Sequence, residues 1–432
     1  MESYYIEGGI PLRGEYRVKG AKNSALPILA ATVCHGGVYE IYDCPKIGDV
    51  FAMLEILNAL GSKTKWEDEC LVVDSRNVDN FAVPESLMSE MRSSVFLMGS
   101  LLARSGEAIV YRPGGCHIGK RPIDIHIAGL EQLGFEVDVT EGRICCKGVC
   151  SGGKITMPYP SVGATENLMM AALAGKGDTI IENCAIEPEI VDLQGFLRTI
   201  GFQVFGAGTD TIFVKGAHGM ADSKSALQRM YFVLEDRIEA ATYMAAVMGT
   251  GGRAVFRNIR PCLMKDVLDV FERMGGEIRT CQNMIEIWVP QNLKSAGIVV
   301  TQPYPGFPTD CQPQLMTLCT KARGLSTIRE EIFECRFGHK NQLIKMGADI
   351  ETCGKNAIIR GVDFLHGGEV DAMDLRGGAA LAIAGLMATG RTVVRDVFHV
   401  QRGYEDFEKG IKSLGGLIET RRETEKEKTQ KI

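Results

Sequence analysis

Six stretches of this chain are alanine-, leucine- and methionine-rich and lack the polar stripe of a surface helix. They read ILAATVCHGGVYEIYDC, FLMGSLLARSGEAIVYR, LMMAALAGKGDTIIENC, YMAAVMGTGGRAVFRNI, LMTLCTKARGLSTIREE and LAIAGLMATGRTVVRDV. A helix that is apolar nearly all round belongs inside its domain. Each run meets a glycine, which predicts a left-handed helix cap. The alternation that follows, as in AIVYR and TVVRDV, predicts a half-buried strand. A second, amphipathic helix comes next and closes on an apolar residue and a glycine: LNALGSK, LEQLGFEV, LRTIGFQV, FERMGGEI, LIKMGADI and IKSLGGLI. The closing glycines are Gly61, Gly134, Gly201, Gly275, Gly347 and Gly415, separated by 67 to 74 residues.

The unit is therefore helix, strand, helix, strand, six times over, with a period too long for short solenoid repeats. Three units make a domain of about 200 residues, an ordinary size. The seam falls between the third and fourth units, near MYFVLEDRIEA, Met230 to Ala240. The strand before Gly20 precedes the first unit and is open to either domain. The last stretch, RRETEKEKTQKI (421–432), carries charge without apolar period and reads as a frayed tail.

Composition narrows the function. Hydrophobic residues make up 45% of the 432 positions and charged residues 24%, the profile of a soluble globular protein. A net charge of −6 argues against a nucleic-acid binder, so any anion must be met by a local group of basic side chains. MESYYIEGGIPLRGEYRV lacks the basic start and apolar core of a signal peptide, and no apolar run is long enough for membrane insertion. The 14 cysteines fall in apolar elements, Cys34, Cys184 and Cys319 among them. That suits a reduced, cytoplasmic location better than a disulfide framework.

The candidate chemistry sits at the junctions within the units. Lys22, in VKGAKNSALP, precedes the first buried helix; Asn23 or Ser24 can cap that helix and leave its start open to an anion. The plainer reading is a solvated lysine beside a cap. Arg92, in EMRSSVFLMG, opposes the dipole of the helix it precedes unless an anion or a carboxylate such as Glu90 is near. Arg121 and Arg402 occupy corresponding junctions of units two and six, and arginine grips phosphate oxygens bidentately. Asp310, in YPGFPTDCQPQ, is held by prolines, as a general base requires; a helix N-cap is the plainer reading. Asp374, in AMDLRGGAA, carries the same ambiguity.

The most specific motif is PGGCHIGKRPID. Cys116 and His117 with His126, or Cys145, Cys146 and Cys150, do not give the paired spacing of a zinc site, so no metal and no cofactor is implied. Lys120 and Arg121 beside Cys116 favour its thiolate, and a bound phosphate would cancel that bias. Such a thiol can pass from proton acceptor to proton donor as an anionic substrate arrives.

Together with GAKNSALPILAA, SVGATENLMMAA, YPGFPTDCQPQ and HVQRGYE, this motif resembles the UDP-N-acetylglucosamine 1-carboxyvinyltransferases of the enolpyruvyltransferase family. The resemblance runs from Ile6 to about residue 420. It implies an α/β fold of two domains, each of three βαβαββ-type units around buried helices, an inside-out α/β barrel. The domains would be 22–234 and 1–21 plus 235–420, with the active site between them. The implied partners are small molecules: enolpyruvyl passes from phosphoenolpyruvate to the 3-hydroxyl of UDP-N-acetylglucosamine, an early step of peptidoglycan synthesis.

By this similarity Cys116 is the general acid, forms a covalent adduct with phosphoenolpyruvate and is the target of fosfomycin. Lys22, Asn23, Arg121 and Arg402 bind phosphoenolpyruvate, and Asp310 receives the sugar hydroxyl proton. Arg92, Arg121, Pro122, Ile123, Asp124, Ile125, Ser161, Val162, Gly163, Asp310 and Ile332 contact the nucleotide sugar. Gln401, Lys120 and the missing proline before Asp236 depart from the family pattern. The sister enzyme acting on shikimate 3-phosphate and a non-catalytic nucleotide-sugar-binding paralogue are the alternatives.

Overall fold

The six apolar runs form helices Lys22–Ala31, Leu97–Ser105, Val162–Ala171, Arg237–Gly249, Gln312–Cys319 and Leu375–Met387. Every residue of Arg237–Gly249 and of Leu375–Met387 is buried, as the missing polar stripe requires. This is a computed structural model, and it describes residues 2–88, 91–114, 118–119, 122–217 and 228–422. The chain forms two compact units. One holds residues 2–19 and 235–422 with Ile118 and Gly119; the other holds 20–114 and 122–234.

Each unit encloses three buried helices with three sheets. In the second unit, strands Gln228–Phe232, Val38–Tyr42, Cys70–Asp74 and Lys63–Glu67 lie side by side in that order. Gln228–Phe232 runs parallel to Val38–Tyr42 although 190 residues separate the paired positions, so the end of the unit completes the sheet of its beginning. In the first unit, the N-terminal strand Glu2–Glu7 lies antiparallel between Arg391–Arg395 and Leu417–Arg422 and plays the same closing part. That last strand runs through Arg422, so Arg421 and Arg422 pair with Ser3 and Glu2 instead of opening a tail. Residues 423–432 lie outside the described residues.

All six closing glycines adopt positive φ, between 79° and 105°. There the chain reverses from helix to strand through a conformation that costs a side-chain-bearing residue about 1–2 kcal/mol. The caps of the buried helices are less uniform. Gly106, Gly251, Gly324 and Gly390 are left-handed, but the first and third units end otherwise. After Lys22–Ala31 the Ser75 hydroxyl donates to the Thr32 carbonyl at 2.6 Å, satisfying an end group that a glycine turn would serve. After Val162–Ala171 the chain tightens into a 3₁₀ turn, Ala172–Ala174, and Gly175 has φ −62°. A further repeated feature is Asp43, Asn183, Asn258 and Asp396, each left-handed and directly after the first strand of its unit. Asp and Asn tolerate that region best among residues with side chains.

A Cβ on Gly275 would have its nearest neighbour at 3.9 Å, whereas one on Gly61 would stand 2.8 Å from the Asn77 carbonyl. Gly275→Ala is therefore expected to cost backbone strain alone, about 1 kcal/mol. Gly61→Ala should cost at least about 1 kcal/mol more because the carbonyl must also move. Urea unfolding of the two variants measures both; equal losses would show that the carbonyl contact carries no weight.

Candidate active site

In both units the candidate charged groups gather at the starts of the buried helices. In the second unit, Lys22 is the first residue of its helix, and Ala21, not Asn23 or Ser24, is the N-cap, without a side-chain cap. Ser24 is drawn away: its hydroxyl donates to Asp192 Oδ2 at 2.7 Å. Lys22 Nζ lies 3.1 Å from Asp49 Oδ2, a buried carboxylate at the start of the outer helix Gly48–Ala59. Asn23 is the second residue of the Lys22 helix and half-buried.

Arg92 opens a 3₁₀ turn, Arg92–Phe96, that leads into Leu97–Ser105. Glu90, its possible partner by sequence, lies outside the described residues. Ser161 caps Val162–Ala171, its hydroxyl accepting from Ala164 N–H at 3.4 Å. Asp124 begins the helix Asp124–Gln132, preceded by exposed Pro122 and half-buried Ile123, with half-buried Ile125 after it. These elements meet at His126. A Cβ on Gly163 would stand 3.5 Å from both the His126 ring and the Phe96 ring. Burial, and then the Arg92 charge, push the His126 imidazole down to about 4, against the pull of Asp124. The structure thus brings Arg92, Asp124 and Gly163, two residues after the Ser161 cap, around one neutral imidazole. Cys116 and Arg121 lie outside the described residues.

In the first unit Asp310 is not a helix cap. It sits in the 3₁₀ turn Thr309–Cys311, and its carboxylate is shared by two buried arginines. Arg336 Nη2 is 2.9 Å from Oδ1, and Arg376 Nη2 is 3.3 Å from Oδ2. Arg336 also donates to the Thr309 carbonyl at 3.2 Å and lies 3.7 Å from Asp374. Asp374 does cap its helix, accepting from the backbone N–H of Arg376 and Gly377 at 3.1 and 3.0 Å. The Arg376 guanidinium lies over the Tyr404 ring, 5.3 Å from its centroid. The Tyr404 hydroxyl is 2.8 Å from that of Thr242. In the amide orientation that satisfies both ends, Gln314 accepts from Thr242 and donates to the carbonyls of Asp310 and Cys311. Asp310 is therefore anchored through backbone and side chain alike.

Ile332 is tied to the same turn: its N–H donates to Glu330 Oε1, while Glu330 Oε2 accepts from Thr309. Arg402 follows the short helix Phe398–Gln401, half-buried and two residues before Tyr404. Gln401, a departure from the family pattern, donates to Glu2 Oε2 at 2.8 Å. Sequence reasoning missed Arg336 and Arg376. Arg376 had a signal: a charge in the second position of a helix otherwise apolar all round. Arg336, in FECRFGHK, had none.

A family model described as EPSP synthase (3-phosphoshikimate 1-carboxyvinyltransferase) matches residues 6–411. The chain belongs to this family of enolpyruvyltransferases. The chain is 46% identical to UDP-N-acetylglucosamine 1-carboxyvinyltransferase 2 of Caldanaerobacter subterraneus, over 97% of its own length and 99% of that protein. It is 44% identical to the UDP-N-acetylglucosamine 1-carboxyvinyltransferase of Finegoldia magna, again over 97% and 99%. Among solved structures it is similar to the enolpyruvyl transferase NikO of Streptomyces tendae, with TM-score 0.86, 24% identity and coverage of 98% and 99%. An EPSP synthase of Acinetobacter baumannii gives TM-score 0.74 and 19% identity over 98% and 100%. These two likenesses establish the inside-out α/β fold. Enolpyruvyltransferases act on small molecules, and no helix among the described residues is long and apolar enough to cross a membrane.

Because this enolpyruvyltransferase buries His126 uncharged, its unfolded chain binds a proton near pH 6.5 that the folded chain refuses until about pH 4. Stability from this group is present above pH 6.5 and is lost as pH falls, by up to about 3 kcal/mol. His126→Gln should lose less stability than the parent between pH 7.5 and 4.5 in urea unfolding. Identical losses in the two proteins would mean His126 is not buried neutral.

Proposed function

We propose that this enzyme transfers enolpyruvyl from phosphoenolpyruvate to the 3-hydroxyl of UDP-N-acetylglucosamine with release of phosphate, in the cytoplasm, as a step of peptidoglycan precursor synthesis. The observation that carries this reading is identity of 44–46%, along nearly the whole of both chains, to relatives that bear that name. The likeness to the shikimate-pathway sister, at 19% identity, supports the fold alone. A non-catalytic paralogue is disfavoured by the intact set Lys22, Cys116, Asp310 and Arg402.

In this reading the reaction is an addition followed by an elimination. Asp310 takes the proton of the sugar 3-hydroxyl as that oxygen attacks C2 of phosphoenolpyruvate. Cys116 gives a proton to C3, so the double bond becomes a methyl group and a tetrahedral ketal forms. The C2–O bond to phosphate then breaks, a proton returns from the methyl group to the Cys116 thiolate, and the enol ether remains. The ketal carries phosphate and carboxylate together, and fixed cations stabilise that charge better than water does. Lys22, Asn23, Arg121 and Arg402 are assigned to these anions. Arg92, Arg121 to Ile125, Ser161 to Gly163, Asp310 and Ile332 are assigned to the nucleotide sugar. The anchoring of Asp310 suits a base, because a carboxylate held through both oxygens stays still while it accepts a proton.

Phosphate release on mixing phosphoenolpyruvate with UDP-N-acetylglucosamine tests the assignment, with shikimate 3-phosphate as the comparison. Release only with the shikimate ester would transfer the enzyme to the sister reaction; none with either acceptor would favour the non-catalytic reading. Arg402→Ala should raise the KM for phosphoenolpyruvate at least ~30-fold, equivalent to about 2 kcal/mol, and spare the nucleotide sugar. Cys116→Ser should abolish labelling by fosfomycin. Labelling at full stoichiometry would place the reactive thiol elsewhere.

A further inference from the structure

A chain of contacts that starts two helices away bears on which ring nitrogen of His126 carries the proton. Gly99 lies in the buried helix Leu97–Ser105, and a Cβ there would stand 2.1 Å from the backbone oxygen of Asn167. Only a bare backbone lets the helices approach so closely. In that approach Gly99 N–H donates to Asn167 Oδ1 at 2.7 Å. A backbone N–H can only donate, so the atom facing it is the amide oxygen, and the assignment of the Asn167 amide is fixed. Its nitrogen is thereby turned to His126 Nδ1, 3.1 Å away. An amide NH₂ can only donate, so Nδ1 accepts and carries no proton. The single proton of the neutral ring is then on Nε2.

We infer that Asn167 is a positioning residue that holds His126 neutral, with Nε2–H directed at the start of the helix Val162–Ala171 as donor to a phosphate oxygen of the nucleotide sugar. A Cβ on Gly163 would lie 3.7 Å from Nε2, which places that nitrogen beside the capped helix start. Arg92 and Asp124 are the charged groups that act on the ring. A helix start and an arginine both favour an anionic oxygen there. The choice of ligand rests on the reading given under the proposed function; the tautomer does not. The lock has a chemical use. An arriving diphosphate would ordinarily draw a second proton onto a neighbouring imidazole. Here that proton would have to enter Nδ1 against a donor whose other end is pinned, so the ring stays a one-proton donor as substrate binds.

Selective ¹⁵N labelling of the seven histidines, with His126→Gln to assign the signal, reads the tautomer directly in the intact enzyme. The expected spectrum at pH 7 has Nδ1 at the unprotonated, downfield position and Nε2 at the protonated one. The reverse pattern, or a doubly protonated ring, overturns the lock without reference to any substrate. Asn167→Asp replaces the donor by an acceptor of the same shape and should bring the His126 titration up into the neutral range. The KM for UDP-N-acetylglucosamine should then change between pH 6 and 8, where the parent's His126 contributes no change. Asn167→Leu, which leaves the ring unanchored, should raise that KM roughly ten-fold with kcat nearly unchanged. A His126 titration unmoved in Asn167→Asp overturns the positioning role. A confirmed tautomer with an indifferent KM overturns the nucleotide-sugar assignment of Nε2–H, while the phosphate-release assay judges the overall reaction separately.

Discussion

A helix buried on every side is the constraint from which the rest of this structure follows. It has no solvent face, so sheets must cover it all round, and each unit supplies three sheets for three such helices. A polar side chain along its length needs a partner, as Asn167 and Thr242 have, because burying an unpaired polar group costs about 1–3 kcal/mol even in a protein interior. Where the helix begins they also find unsatisfied backbone N–H groups. Lys22, Arg92 and Ser161 in one unit, and Asp310, Asp374 and Arg376 in the other, all lie at such starts. A fold chosen for covering apolar helices thus collects its charges in one kind of place.

Collection is not enough, because buried charges must also be matched. Arg336 and Arg376 are both under 5% exposed at their side chains, and two such cations out of water would be costly without an anion between them. Asp310 is that anion, and Asp374 approaches Arg336 from the other side. The surrounding polar groups, Gln314, Thr242 and Tyr404, are linked among themselves, so the cluster is closed on the side of the core.

The architecture was legible because it is written six times. A missing polar stripe, a closing glycine and an alternating strand recur at nearly constant spacing, and every closing glycine proved left-handed for the backbone reason that makes glycine the natural choice. Local chemistry was less legible. Asn23 and Ser24 have the right composition for a cap, yet Asp192, far along the chain, takes the Ser24 hydroxyl, and no local pattern records that. Asp310 looked like a cap candidate and became an anchored carboxylate because Arg336 and Arg376 arrive from other elements. Arg336 carries no periodicity or motif of its own. Residues whose meaning comes from a neighbour in space are silent in a single sequence; Cys116, singled out by its flanking glycines and cations, lies outside the described residues.

The two units solve different electrostatic problems with the same scaffold. Around Asp310 the solution is neutralisation: fixed cations hold one carboxylate and leave its geometry unambiguous. Around His126 the solution is exclusion, since the ring is kept uncharged beside Arg92 by burial and by a donor facing Nδ1. The difference matches what each place is proposed to meet. A base must begin with a negative charge that is held still, so its surroundings must be positive. A group that receives a phosphate must not bring a negative charge of its own, and it gains by offering protons it cannot lose. Helix starts favour anions in both units; at Asp310 the anion is supplied by the protein, and at Gly163 it is proposed to come from the substrate.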